Sequence, residues 1–268
     1  MAIDNATLSR LRGRISALEG TALDGSEAPR AVSFGLAAVD DHLPTGGLAG
    51  GSVHEITGGS GSATAFAAAL AGRAQRLHRP PLVWIAPRID QRESLYGPGL
   101  AAFGLDPVAL TVVRIPGHGR KGAAQALWAM EEALRTPAIG AVCAEIDAVD
   151  LTASRRLQLA AEAGGTFGLL LRGSVSNDSA AVPPIASVTR WRITAAPSGP
   201  AWPTSLLGIT RWQVELLRVR GGQPYHWLLE WRHDPIDETA GGFALAAASG
   251  DRPAMPAAEQ TLPLARTG

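Results

Sequence analysis

Residues 52–78 read SVHEITGGSGSATAFAAALAGRAQRLH. Three regimes follow one another in this stretch. Ser52–Thr57 (SVHEIT) has the β-branched and apolar content of a short strand. GGSGS follows, and glycine there permits backbone angles that other residues avoid. Ala63–His78 is built from Ala, Leu, Gln and Arg, which favour helix, until Pro80–Pro81 breaks it. A strand that turns through glycines into a helix is the repeating unit of an α/β fold.

The unit recurs downstream. Leu82–Ala86 (LVWIA) is a continuous apolar run, the signature of a strand buried on both faces. Arg92–Phe103 suggests a helix. Leu110–Ile115 (LTVVRI) is a strand, Lys121–Arg135 a helix with Ala124, Leu127, Met130 and Leu134 along one stripe, and Ile139–Ile146 (IGAVCAEI) a strand. Thr152–Ala163 is a helix and Phe167–Arg172 (FGLLLR) the strand after it. This alternation predicts a mostly parallel sheet flanked by helices. It stops near Gly173. Ala186–Ala195, Trp212–Val219 and Tyr225–Arg232 alternate with period 2 and read as an antiparallel extension. Trp191 and Ile193 share one face there, and Arg190 and Arg192 the other. Trp191, Trp202, Trp212, Trp227 and Trp231 crowd this region. Core packing of the extension explains them best, with base stacking or a protein interface as the alternatives.

The flanks differ in character. Within residues 4–19, Leu8, Leu11, Ile15 and Leu18 step by 3, 4 and 3 and define one apolar helical face. The following GTALDGSEAPRA is a linker. The expected organisation is therefore an N-terminal helix and linker over 1–30, a core over 31–232 and a largely disordered tail over 233–268. In the tail, FALAAA (Phe243–Ala248) is a docking peptide or a loosely packed strand. The 268 residues carry 24 Lys+Arg and 24 Asp+Glu, so bulk attraction to nucleic acid is not expected. Lys121 is the sole lysine. Cys143, the sole cysteine, excludes an intramolecular disulfide framework and a cysteine-built zinc site, and fits a reducing cytoplasm. The six histidines lack metal-ligand spacing; His54 reads as a satisfied core residue and Cys143 as a buried, inert thiol. No metal, cofactor, export signal or membrane span is expected.

Residues 34–58, FGLAAVDDHLPTGGLAGGSVHEITG, resemble the approach to the ATPase core of the RecA/KaiC superfamily through Gly35, Val39, Asp40, Gly46, Gly47, Leu48, Gly51, Glu55, Ile56 and Gly58. The resemblance implies a RecA-like sheet with a phosphate loop at its carboxyl edge. That loop requires G-x-x-x-x-G-K-[ST]. Laid on Gly58 and running through Gly61, the sequence places Ala63 at the second glycine, Thr64 at the lysine and Ala65 at the metal-binding hydroxyl. The charge that would neutralise the β- and γ-phosphates is missing. Near the expected catalytic glutamate stand Pro87 and Arg88, and near the metal-linked aspartate Glu145 and Asp147. The loop is degenerate, and ATP hydrolysis is not expected.

LTASRRLQLAAEAGGTFGLLLR (151–172), TRWRITAAPS (189–198), WQVELLRVRGG (212–222) and WLLEW (227–231) resemble the ImuA family, RecA/SulA-related accessory proteins of bacterial mutagenesis cassettes. The resemblance implies a non-catalytic scaffold in SOS-linked translesion synthesis. Its implied partners are ImuB, an inactive Y-family polymerase homologue, and an error-prone C-family polymerase, with the recombinase RecA a further partner. A SulA-type division inhibitor and a RecA-like ATPase with an atypical nucleotide site are the alternatives. Two basic clusters are candidates for DNA or anion contact: Arg114, His118, Arg120 and Lys121 after one strand, and Arg155 and Arg156 early in a helix. Leu8, Leu11, Ile15 and Leu18 are the candidate protein interface.

Overall fold

The structure, a computed structural model, describes residues 30–78, 81–87, 95–116, 119–173, 185–199, 208–232 and 241–246. The N-terminal stripe Leu8, Leu11, Ile15 and Leu18, together with Arg88, His118 and Trp202, lies outside them. A short helix α1 (Ala37–Asp40) precedes β1 (Val53–Gly58), α2 (Ser60–His78), β2 (Leu82–Pro87), α3 (Gly97–Ala102), β3 (Leu110–Ile115), α4 (Gly119–Arg135), β4 (Ala141–Glu145), α5 (Leu151–Gly164) and β5 (Phe167–Gly173). Four strands close the chain: β6 (Thr189–Ala196), β7 (Arg211–Val219), β8 (Tyr225–Arg232) and β9 (Gly242–Leu245).

All nine strands join one sheet, ordered β3-β2-β4-β5-β1-β6-β7-β8-β9. The fold is α/β with a mostly parallel mixed sheet and antiparallel C-terminal strands. The strand expected to open the antiparallel extension differs from its reading: β6 runs parallel to β1, with His54 opposite Thr189 and Gly58 opposite Ile193. The reversal comes one strand later, at β6–β7. Alternation reports which face a side chain takes, not strand direction. The chain after β5 returns to the start of β1, where the Val188 N–H donates to the Val53 carbonyl.

Each face of the sheet carries its own core. One gathers Phe66, Leu70 and Ala74 of α2 and Leu100 of α3 with Ile56, Trp84, Cys143, Leu169, Trp191 and Trp212. The other gathers Met130 and Leu134 of α4 and Leu157 and Ala161 of α5 with Val53, Ile85, Val142 and Leu170. The buried stripe of α4 is Gly122, Ala126, Met130 and Leu134; Ala124, expected on it, is exposed. Antiparallel sheets bury one face and solvate the other, and β6–β8 do so. Trp191, Trp212, Trp227 and Trp231 all enter the α2-side core, and Arg192–Glu215 and Arg211–Glu230 pair among the intervening residues. The described tryptophans of this region are thus core residues.

Inside the stretch expected to follow the core, Gly242–Leu245 extends the sheet as β9. The reason is Phe243, whose ring sits 5.2–5.3 Å from Trp231, Phe34 and Phe66. Three distant segments create the slot that this short run fills.

His54 has no exposed surface. Its Nε2 lies 2.9 Å from the Ala49 carbonyl, which can only accept, so the proton sits there. The Thr189 hydroxyl accepts from Trp191 Nε1 at 2.7 Å and donates to His54 Nδ1 at 2.8 Å. Burial lowers the His54 pKa to about 4, only partly offset by the Ala49 bond. The unfolded chain takes up this proton near pH 6.5, well before the folded one. Stability from neutral His54 is therefore full above that value and lost as pH falls toward 4, by roughly 3 kcal/mol. Thermal melts of wild type and His54→Gln should show a stability gap that narrows by about that amount between pH 7 and 4. A gap independent of pH would contradict a buried neutral His54.

Candidate functional site

The candidate nucleotide loop is the β1–α2 junction at the carboxyl edge of the parallel strands. β1 ends at Gly58 and α2 begins at Ser60, so Gly59 alone joins them. Gly61, Ala63, Thr64 and Ala65 are helical. The Ala63 N–H donates to the Gly59 carbonyl at 2.9 Å, closing the first helical turn where a phosphate loop would wrap an anion. The Ser62 Oγ turns back to the Gly59 carbonyl at 3.1 Å.

Gly58 has a structural reason to be glycine. Its φ is +155°, and a Cβ there would lie 2.2 Å from the Ile193 carbonyl oxygen of β6. Gly61 has open space around its missing Cβ. The other ATPase positions are also engaged locally. Pro87 closes β2. Glu145 Oε1 accepts from Trp84 Nε1 at 2.7 Å, and Asp147 Oδ1 accepts from the Gly173 N–H at 2.7 Å. Cys143 has no exposed surface, and burial with the nearby Glu145 charge raises its thiol pKa, which keeps it protonated and unreactive.

Sequence reasoning missed the strongest electrostatic feature. Glu55, in the middle of β1, has no exposed surface. Arg172 Nη1 of β5 reaches its Oε1 at 2.9 Å, and Arg190 Nε of β6 its Oε2 at 2.6 Å. Ser187 Oγ lies 3.4 Å from Oε2, and Arg172 also donates to the Asp147 carbonyl through Nε and Nη2 at 3.3 and 3.2 Å. A buried ion cluster of this kind holds only when its hydrogen bonds are complete. The available signal was Arg172 at the end of the apolar run FGLLLR and Arg190 alternating with Trp191 in TRWR.

The basic candidates do not converge on one site. Arg114 is in register with Ala86, whose side chain belongs to the α2-side core, whereas Arg120 and Lys121 open α4 on the opposite side of the sheet. On α5, Arg156 meets the mostly buried Glu131 of α4 at 2.5 Å, and Arg135 shares that carboxylate at 2.7 Å. Arg155 is exposed. Among the described residues no cluster of three or more potential metal ligands occurs, and no helix is long and apolar enough to cross a membrane.

The two junction glycines predict opposite outcomes. Gly58→Ala should destabilise the fold by about 2–4 kcal/mol, because a backbone atom blocks the new methyl. Gly61→Ala should be neutral or stabilise by about 0.5 kcal/mol, since alanine suits a helix. Chemical denaturation measures both. Equal effects would contradict this assignment.

No family model matches the chain. It is 40% identical over 219 residues to "Protein ImuA" of Caulobacter vibrioides strain NA1000 / CB15N, covering 77% of this chain and 86% of that protein. The same identity and coverage relate it to "Protein ImuA" of strain ATCC 19089 / CIP 103742 / CB 15. The match covers more than two thirds of both proteins, and on that evidence the chain belongs to the ImuA family.

Proposed function

We propose that this chain is a non-catalytic, RecA-like accessory protein of SOS-induced translesion synthesis, acting in the cytoplasm as a scaffold that holds an ImuB-like partner. Membership of the ImuA family supports the pathway. The observation that carries the non-catalytic reading is the one-residue β1–α2 connection, with Thr64 where a nucleotide site needs lysine. A phosphate loop works by aiming several backbone N–H groups and one ammonium at the β- and γ-phosphates. Here the corresponding residues already sit in α2, and Lys121 belongs to another helix. RecA-like in layout and degenerate in its P-loop, the core keeps its sheet and gives up the nucleotide chemistry.

The partner-binding element in this reading is the 4–19 segment, with Leu8, Leu11, Ile15 and Leu18 as the buried stripe. The ImuB-like polymerase homologue is the primary partner; RecA and an error-prone C-family polymerase complete the assembly. DNA is contacted weakly, if the exposed cations Arg114, Arg120, Lys121 and Arg155 reach it.

Replacing Leu11 and Ile15 together by Asp should abolish co-purification with the ImuB-like partner, because two charges enter an apolar contact. Circular dichroism and the melting temperature should stay at wild-type values. Undiminished capture by the folded double variant contradicts the interface. In cells, deletion should remove damage-induced mutagenesis. Filamentation on overexpression without damage would instead indicate a division inhibitor.

A further inference from the structure

A second feature lies near the far end of α2. Arg73 and Arg76 follow Ser60 by about 20 Å of helix, at roughly 1.5 Å per residue. They therefore stand toward the edge of the sheet opposite the β1–α2 junction. Both guanidiniums line one surface hollow of about 300 Å³, with Ser33 and Leu77. Each is anchored by one backbone carbonyl: Arg73 Nε donates to Ser33 at 2.6 Å, and Arg76 Nη1 to Gly104 at 2.7 Å. Among the described residues, the remaining N–H groups of the two planar forks meet no further acceptor.

The surroundings are built to hold this arrangement. Asp40 accepts from Ser33 Oγ at 2.7 Å, from the Phe34 N–H at 2.8 Å and from the Leu36 N–H at 3.1 Å, which pins the Ser33–Leu36 segment. That segment presents the Ser33 carbonyl to Arg73. Gly35 adopts φ +72°, and a Cβ on it would lie 2.5 Å from Arg73 Nη2, so a side chain there would displace the guanidinium. Gly35 and Asp40 belong to the 34–58 motif, and both lie outside the β1–α2 junction.

The charge balance is what needs an explanation. Asp40 is engaged by three donors of its own segment, and among the described residues neither arginine forms an ion pair. Burial, and then the Arg76 charge, push the Arg73 pKa down, with Asp40 offsetting them in part; burial does the same to Arg76. Two like charges held together in a hollow repel unless an anion joins them.

We infer that Arg73 and Arg76, with the Ser33–Leu36 segment, form a phosphate-binding site on the edge of the sheet away from the degenerate loop. Paired guanidinium forks match the several oxygens of a phosphate group. The phosphate belongs either to a nucleic-acid strand or to a small molecule, and the site is separate from the basic residues at α4 and α5.

Calorimetric titration of the full-length chain with inorganic phosphate, at constant ionic strength in chloride, tests this. Saturable binding is expected. Arg76→Gln should weaken it about tenfold or more, the worth of one lost charge-assisted hydrogen bond. Leu77→Glu, which supplies an internal carboxylate from a half-exposed position, should weaken it similarly. Arg220→Gln, at an exposed position outside the hollow, should leave it unchanged. The two hollow variants are independent, so one that fails to fold leaves the other to decide. Absence of saturable binding, or wild-type affinity in the folded variants, overturns the proposal. A mixed-sequence single-stranded oligonucleotide that displaces phosphate, and loses affinity in the same variants, identifies a nucleic-acid backbone as the source. Failure to displace it identifies a small-molecule phosphate.

Discussion

A carboxylate with no exposed surface sits in the middle of the central strand, and the sheet is arranged around keeping it satisfied. Glu55 would be costly in an apolar interior without partners. Arg172 from β5 and Arg190 from β6 close on it from both sides, and Arg172 continues to the Asp147 carbonyl beyond β4. Removing one member would leave the others as uncompensated buried charge, so the cluster acts as a unit. It also specifies register. Slipping β1 by one residue would carry Glu55 to the α2-side core among Phe66 and Trp191 and take Ile56 out of it.

That register has consequences at the carboxyl edge. With Glu55 between Leu170 and Arg190, Gly58 falls opposite Ile193, and the β6 backbone passes too close for any side chain. The chain then enters α2 after a single residue, and the Ala63 N–H closes the first turn on the Gly59 carbonyl. Gly58, which resembles the first glycine of a nucleotide motif, is thus explained by strand packing.

Much of this was legible in the residues. β3 and β8 occupy the spans that their alternation and apolar content mark, and β1, β2, β5 and β7 lie within about a residue of theirs. The alternation of Trp191 and Ile193 with Arg190 and Arg192 reported the faces of β6. Its direction was not legible, because parallel and antiparallel strands share a period of two. β9 was hard to see for another reason: GFAL is short, and its burial depends on Phe34, Phe66 and Trp231. The Glu55 cluster joins residues 117 and 135 positions apart, and Arg73 reaches Ser33 across 40. No local pattern encodes such pairs. Sequence marks them only as charges in apolar surroundings.

The central claim is that this sheet carries no working nucleotide site. Titration of the purified, full-length protein with Mg²⁺–ATP measures it directly. The account predicts no binding at the β1–α2 junction tighter than about 100 μM, roughly 5.5 kcal/mol, and no effect of Thr64 or Ser62 substitutions on whatever weaker signal remains. Tighter binding that Thr64→Ala abolishes would contradict it.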